Sequence, residues 1–319
     1  MSRSDRTRDL LKNAGKRMLR WLFEAGQRAG LNVLPRHFYS ETPFIAELRR
    51  EVTWRRPHSM YGVRGADISE QLAFMRDCCP PELVSQVETS GLYEHACRVN
   101  GTVGFSPIES ELLYCFIATR RPKRVVQVGC GASTAVMLQA SEDLGQRLEL
   151  ICIDPFPTRY LVEAARRGEI SLIQDKAQNV ALDTLTGLSR GDFLFVDSTH
   201  TVKPGSEVNL LVLDVLPRLS SGVFVHFHDI CFPYDYTPEI LQSGLFFWNE
   251  SVLVQAFITQ NRRYRLRVAM SLLHHADPAG LQEILPAYRP WRCRDGLRLA
   301  DDDGDHFPSS AYLEVVDED

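Results

Sequence analysis

Two short segments of this 319-residue chain gather the residue types of acid–base and metal chemistry: "DSTH", from Asp197 to His200, and "HFHD", from His226 to Asp229. The second lies within "GVFVHFHDI" (222–230), whose Val223, Phe224, Val225, Phe227 and Ile230 give it the β-branched and aromatic content of a buried strand. Side chains alternate across a strand, so His226 and His228 share one face and Asp229 falls at its end. Asp197 likewise closes the apolar run "DFLFVD", with His200 three residues on in the loop beyond. An imidazole titrates near neutrality, which suits His200 or His228 to take a proton from a substrate hydroxyl while Asp197 or Asp229 orients the ring. The same four residues, Asp197, His200, His228 and Asp229, could instead ligate a divalent metal. The carboxylates suit Mg²⁺, and two imidazoles with a carboxylate suit non-haem iron. Third, they could do no more than hydrogen-bond loop backbone. His226, one step deeper on the strand, is expected to be a paired core imidazole.

For two strand ends to converge in this way, the chain has to build a sheet. From residue 109 onward helical and strand patterns alternate: a helix over "ESELLYCFIATR", then strands at 124–128, 148–154, 170–174, 192–198 and 222–229 with helices between them. Near-continuous apolar strands in βαβ alternation predict an α/β fold with a parallel, doubly wound sheet. Ligands bind such sheets at the carboxyl ends of the strands. The first strand runs into "QVGCGAST" (127–134), where Gly129 and Gly131 permit a tight turn and close approach to a ligand. The following helix, with Ser133 as its expected N-cap, aims its positive end at an anion. Asp154 ends the next strand, placed to accept hydrogen bonds from ribose hydroxyls. These features suit a dinucleotide or S-adenosylmethionine. The dinucleotide fingerprint wants a third small residue where this chain has Thr134, and no GxxxxGK[ST] is present.

Beyond residue 230 come an aromatic loop, "CFPYDYTPEILQSGLFFW", a helix "NESVLVQAFITQN", a strand "YRLRVAMSLL" and a last strand within "SSAYLEVVDED". Phe232, Tyr234, Tyr236, Phe246, Phe247 and Trp248 suit a lid that excludes water. His274 and His275 are read as a turn.

With 44% hydrophobic and 24% charged residues the composition is that of a globular protein, and a net charge of −5 gives no general attraction to nucleic acid. Eight cysteines without a CxxC pair are expected to be free thiols in a reducing cytoplasm, and no apolar run reaches the ~20 residues of a membrane span. The first 36 residues hold nine Lys or Arg against three acids, a net +6 that leaves −11 for the remainder. Leu10, Leu11, Ala14, Met18, Trp21, Leu22 and Ala25 recur there at helical spacing. Such a helix is expected to pack on its own domain or on a second subunit, as a homodimer. Residues 1–100 are read as a helical cap and 101–319 as the catalytic domain.

Four stretches also resemble a known family: "VGCGAST" (128–134), "DSTHTVKPGSEVN" (197–209), "LPRLSSGVFVHFHDICFPYDY" (216–236) and "WNESVLVQAF" (248–257). They are similar to the class I S-adenosylmethionine-dependent methyltransferases, and to the bacterial small-molecule group with VGxGxST, DSSH, HxHDIFxPxxYP and WNE motifs. The resemblance runs from about His37 to Tyr312, and "RHFYS" (36–40) belongs to it. It implies a Rossmann-like, doubly wound, mostly parallel sheet of seven strands with the last antiparallel. It implies further that Gly129, Cys130, Gly131 and Ser133 surround the methionine portion, that Asp154 holds the ribose, that Gln178 in "KAQNV" meets the adenine and that Asp197 adjoins the transferable methyl. Gln127 stands where the family usually has a Glu that receives the cofactor's ammonium. Glu109 could supply that carboxylate instead. The expected activity is methyl transfer to a small molecule, at oxygen, with a histidine base and S-adenosylmethionine, and with a divalent metal (Mg or Fe) as a further cofactor candidate. Two alternatives stay open: an iron-dependent oxidase or hydroxylase on the same fold, and a non-catalytic adenosyl-binding scaffold.

Overall fold

The computed structural model describes residues 3–51, 53–235, 246–290 and 306–317, with side chains from residue 14 onward. The chain divides into two compact units, Met1–Arg50 and Glu51–Asp319. The first contains helices α1 (Arg3–Arg28) and α2 (Ile45–Arg50). Within it the Arg36 guanidinium lies 3.5 Å over the Phe44 ring and pairs with Glu47. Met18, Trp21 and Leu22 of the expected apolar stripe are exposed, while the side chains of Leu10 and Leu11 lie outside the described residues. No helix among the described residues is long and apolar enough to cross a membrane.

The division falls after Arg50 rather than at the expected 100/101. Helices α3 (Ile68–Cys78), α4 (Pro81–Ser90) and α5 (Leu92–Asn100) belong to the second unit for a packing reason. Their Leu72, Met75, Val84, Val87, Leu92 and Ala96 share one apolar cluster with helices α6 (Pro107–Arg120) and α7 (Ala132–Asp143). Short amphipathic helices bury their apolar stripes only against a partner, and the sheet's helices are that partner.

The second unit is built on seven strands: β1 (Arg124–Val128), β2 (Glu149–Ile153), β3 (Ser171–Ile173), β4 (Phe193–Val196), β5 (Phe224–Phe227), β6 (Tyr264–Ala269) and β7 (Ala311–Val315). Their order is β3-β2-β1-β4-β5-β7-β6, and β7 runs antiparallel to both neighbours, as the resemblance implied. The remaining helices are α8 (Arg159–Arg167), α9 (Leu182–Thr186), α10 (Glu207–Leu210), α11 (Glu250–Ile258), α12 (Met270–Ala276) and α13 (Pro278–Ile284). They complete an apolar layer on each face of the sheet. Two boundaries differ from expectation. Met270 to Leu273 leave the strand and enter α12, which also carries His274 and His275, because the ladder to β7 ends at Ala269. The helix after "GSEVNLL" continues through a π turn at Leu211–Val215.

Chain order runs outward from β1 to β3 on one side and from β4 onward on the other, so the carboxyl ends of β1 and β4 flank the switch point. In register, Phe195 of β4 faces His226 of β5, and the rings stack 4.2 Å apart. Residues 193, 195 and 197 therefore share the α6 side with His226 and His228. Alternation along the two strands is what aims both polar segments at one region.

Helix α6 is nearly all buried and carries Glu109 and Glu111. Burial, and then the Glu88 and Glu94 carboxylates, push the Glu111 carboxyl up to about 7. A carboxyl whose folded pKa is raised favours the protonated native state. Its contribution is fully present below about 4.5 and is lost as pH rises through about 7. Glu111→Gln is expected to stabilise the protein by about 2–3 kcal/mol at pH 8, and by nothing measurable near pH 4. Urea melts at the two pH values check this, and an equal effect at both would contradict it.

Candidate active site

The cluster is assembled by two loops in unusual backbone conformations. His200 and Asp229 adopt φ of 56° and 54°, two of five non-glycine residues in the left-handed region among those described. Each costs on the order of 1–2 kcal/mol and persists only where surrounding contacts over-determine it. For His200 those contacts come from the "WNE" segment. The Asn249 and Glu250 N–H groups donate to the His200 carbonyl, at 3.0 and 3.2 Å. The Val202 N–H donates to Asn249 Oδ1, and the Trp248 ring sits 4.8 Å from the His200 ring. Glu250 Oε2 accepts from His200 Nδ1 at 2.9 Å with both side chains buried. The other ring nitrogen, Nε2, lies 3.4 Å from Asp197 Oδ1 and 3.5 Å from Asp229 Oδ2.

His228 joins the array from the other side. Its Nε2 is 3.8 Å from Asp229 Oδ1 and its Nδ1 is 3.4 Å from Glu109 Oε1. Carboxylates and imidazoles thus alternate from Glu109 through His228, Asp229 and His200 to Glu250, with Asp197 beside His200. Burial alone would lower His200, but the Asp197, Glu250 and Asp229 carboxylates outweigh it and raise the ring to about 10. Burial also acts to lower His228, and Glu109, Asp229 and Asp197 bring it well above its usual value. Glu109 is the counterpart: burial pushes it up, but the His228 cation and the Ser310 hydroxyl hold it down at about 2.

His226 is core, as expected, but not paired. It is fully buried between Phe195 and the edge of Tyr312, and neither ring nitrogen has a hydrogen-bond partner among the described residues. Burial and the neighbouring His228 push it down to about 3, which keeps it neutral.

The glycine turn adjoins this cluster. Gly129 has φ of 80°, and a Cβ there would lie 1.7 Å from the Asp197 carbonyl oxygen. The Cys130 and Phe156 N–H groups donate to the two oxygens of Asp154, at 3.0 and 2.7 Å. Gln178 Nε2 donates to the Gly205 carbonyl at 2.8 Å, tying the loop after β3 to the loop after β4. The N-cap of helix α7 is Gly131, two residues before the expected Ser133, so Ser133 lies in the first turn. There its hydroxyl accepts from Gln127 Nε2 at 2.9 Å. The same amide donates to the Gly129 carbonyl at 3.0 Å, and its Oε1 accepts from Thr134 at 2.9 Å. Gln127 is fully buried beneath the turn and braces it. Glu109 does not replace a missing acid there, since its carboxylate lies in the histidine array.

Asp197, His200 and Asp229 each offer one donor atom, all within 4.8 Å of one another, and His228 stands outside that group. Phe246 and Trp248 stack at 5.5 Å and line the cleft with His200, Asp229, Cys231 and Asp235. Phe232 of the expected lid is core instead, and Tyr236 lies outside the described residues. A cavity of about 590 Å³ lies elsewhere, at the far end of α7 among Glu94, Arg98, Tyr114, Gln139 and Asp143. Glu250, Ser309 and Ser310 were not singled out from the sequence. The quoted "WNE" could have flagged Glu250, whereas no local pattern marks the two serines.

Residues 126–230 match the family model described as a methyltransferase domain. The chain carries a methyltransferase domain. Its seven-stranded, mostly parallel sheet is Rossmann-like. The matched stretch begins in β1 and takes in the glycine turn, Asp154, Asp197, His200 and Asp229. A protein from Archaeoglobus fulgidus described as uncharacterized is 28% identical over 170 residues, which is 46% of this chain and 70% of that protein. Among solved structures, the SAH-bound Podospora anserina methyltransferase PaMTH1 aligns with a TM-score of 0.38 at 16% identity, over 90% of this chain and 99% of that one. The Streptomyces achromogenes O-methyltransferase TomG, involved in tomaymycin synthesis and solved with SAM, aligns at 0.41 and 14% identity, over 74% of this chain and 90% of that one.

Proposed function

We propose that this chain moves the methyl group of S-adenosylmethionine to an oxygen of a small-molecule acceptor, at the rim formed by Asp197, His200 and Asp229. One observation carries the proposal: the glycine turn and the rim are built against each other, with no room for even a methyl group between Gly129 and the Asp197 carbonyl. A cofactor in the turn has its reactive end beside the cluster. Gly129, Cys130, Gly131 and Ser133 would surround its methionine portion, Asp154 its ribose and Gln178 its adenine. All of these residues lie within Glu51–Asp319.

In the reaction the acceptor oxygen forms a bond to the methyl carbon as the carbon–sulfur bond breaks. The sulfur keeps the electron pair, and the acceptor's proton passes to a rim carboxylate, Asp197 or Asp229, or to water. Most of the rate enhancement comes from holding oxygen, carbon and sulfur in line. Without a metal, the facing carboxylates raise His200 and His228 above their usual value, so neither is a ready base, and a cation bound at the rim would take the place of the proton on His200 Nε2. The donor set of Asp197, His200 and Asp229 fits a divalent cation, and the bond from His200 Nδ1 to Glu250 is the kind that orients a ligating imidazole. Such an ion, when bound, supplies Lewis acidity that lowers the pKa of an acceptor hydroxyl. Glu250 fixes the His200 ring, Glu109 faces His228 Nδ1 as a counter-charge, and Trp248 with Phe246 walls off water. The oxidase alternative needs two histidines in the ligand set, and His228 stands outside the group of donors that lie within 4.8 Å of one another.

Calorimetric titration of the full chain with S-adenosylmethionine, with methyl transfer assayed across catechols, sugars and hydroxy acids, tests the proposal. Micromolar cofactor affinity is expected. EDTA is expected to lower transfer at least about tenfold, with recovery on adding Mg²⁺ or Mn²⁺. No cofactor affinity would overturn the proposal. Stoichiometric binding without transfer to any acceptor would favour the scaffold alternative.

A further inference from the structure

The Ser309–Ser310 pair, at the head of β7, touches the reaction site twice. Ser309 Oγ donates to Asp229 Oδ1 at 3.0 Å, and the Ser309 carbonyl accepts the Ile230 N–H at 2.7 Å. Asp229, in its left-handed conformation, is therefore clamped on its side chain and on the peptide that follows it. The Ser309 N–H and the Ser310 hydroxyl also donate to Glu109 Oε1, at 3.0 and 2.5 Å, and that oxygen faces His228 Nδ1. The Ser310 carbonyl accepts the Met270 N–H at 2.9 Å, which anchors the pair to the start of α12. Both serines are buried, and they lie 80 residues beyond Asp229, outside the stretch that matches the methyltransferase family model.

From this geometry we infer that Ser309 and Ser310 are positioning residues. They set the direction of the Asp229 carboxylate and the rotamer of the His228 ring, and so make the antiparallel last strand part of the reaction site. The reason is chemical. A carboxylate at a strand end has free χ1 and χ2 torsions, and one charge-assisted bond from a buried hydroxyl selects the rotamer that keeps Oδ2 toward His200. The Glu109 branch does the same for His228, since a carboxylate holding two donors on one oxygen cannot follow the imidazole if it rotates. In its metal consequence the inference rests on the divalent-cation reading of Asp197, His200 and Asp229. In its histidine consequence it does not.

The experiment uses the full chain as Ser309→Ala, Ser310→Ala and Ser309→Thr, with Mn²⁺ as the probe ion. Mn²⁺ affinity, S-adenosylmethionine affinity and long-range ¹H–¹⁵N spectra of the histidine rings without metal are measured. Ser309→Ala is expected to weaken Mn²⁺ binding about tenfold with cofactor affinity unchanged, and Ser309→Thr to restore most of it. Ser310→Ala is expected to shift the His228 ring signals and leave those of His274 in place. A merely structural serine would lower the melting temperature without separating the two affinities. Wild-type protein that binds no Mn²⁺ would remove the cation reading and leave the His228 spectra to decide the inference. Unchanged Mn²⁺ affinity and unchanged His228 signals in the alanine variants would overturn it.

Discussion

Gly129→Ala is expected to abolish measurable S-adenosylmethionine binding and methyl transfer together. Two independent costs meet at this position. The backbone is in the left-handed region at φ 80°, which a side chain disfavours by about 1–2 kcal/mol. The larger cost is steric, because the added carbon would sit 1.7 Å from the Asp197 carbonyl oxygen and 2.7 Å from its carbonyl carbon. That neighbour is backbone at the end of a buried strand, so it cannot swing aside. Relief requires β1 and β4 to separate at the switch point, which moves the cofactor turn and Asp197 at once. Calorimetry with S-adenosylmethionine and a thermal melt check the outcome. A folded Gly129→Ala protein with cofactor affinity within threefold of wild type would show that the turn does not hold the ligand.

Asp197→Asn should lower kcat/KM by about 10²–10³-fold while changing cofactor affinity far less. The amide keeps the shape of the side chain, so packing at the carboxyl end of β4 survives. What is lost is one of the two carboxylates that face His200 Nε2. Asparagine is a weaker ligand for a divalent cation, and its NH₂ can point a donor at a ring nitrogen that also carries a proton. Steady-state kinetics with Mg²⁺ or Mn²⁺ across a range of concentrations separates the two effects. If saturating metal restores most of kcat, the loss is one of affinity. If it does not, Asp197 also shapes the transition state. Wild-type rates in Asp197→Asn would remove the rim from the mechanism.

Much of the architecture was legible in the chain. Continuous apolar strands alternating with helices require a parallel sheet covered on both faces, and the helical and strand periods place the element centres within a residue or two. The glycine turn was legible because a strand–GxG–helix run has few other physical uses. The end of β6 was not, because "VAMSLL" is apolar throughout and suits a strand or a buried helix equally. Only the length of the β7 ladder settles where one gives way to the other. Gln127 was legible as a departure from the family pattern but not in its role. Whether a glutamine faces a ligand or braces the turn beneath it depends on which side of β1 the turn folds over.

The array at the site divides along the same line. Local residue order by itself determined that Asp197, His200, His228 and Asp229 sit at two strand ends, because periodicity and hydrophobic runs act over a few residues. Tertiary structure decided which of them point together, that His228 stands between Asp229 and Glu109, and that Glu250 and the serines before β7 hold the rest. Those partners come from 50 to more than 100 residues away in sequence. The raised His200 and His228 rings owe their shift to carboxylates packed around them from several segments, which depends on the fold as a whole rather than on any one segment.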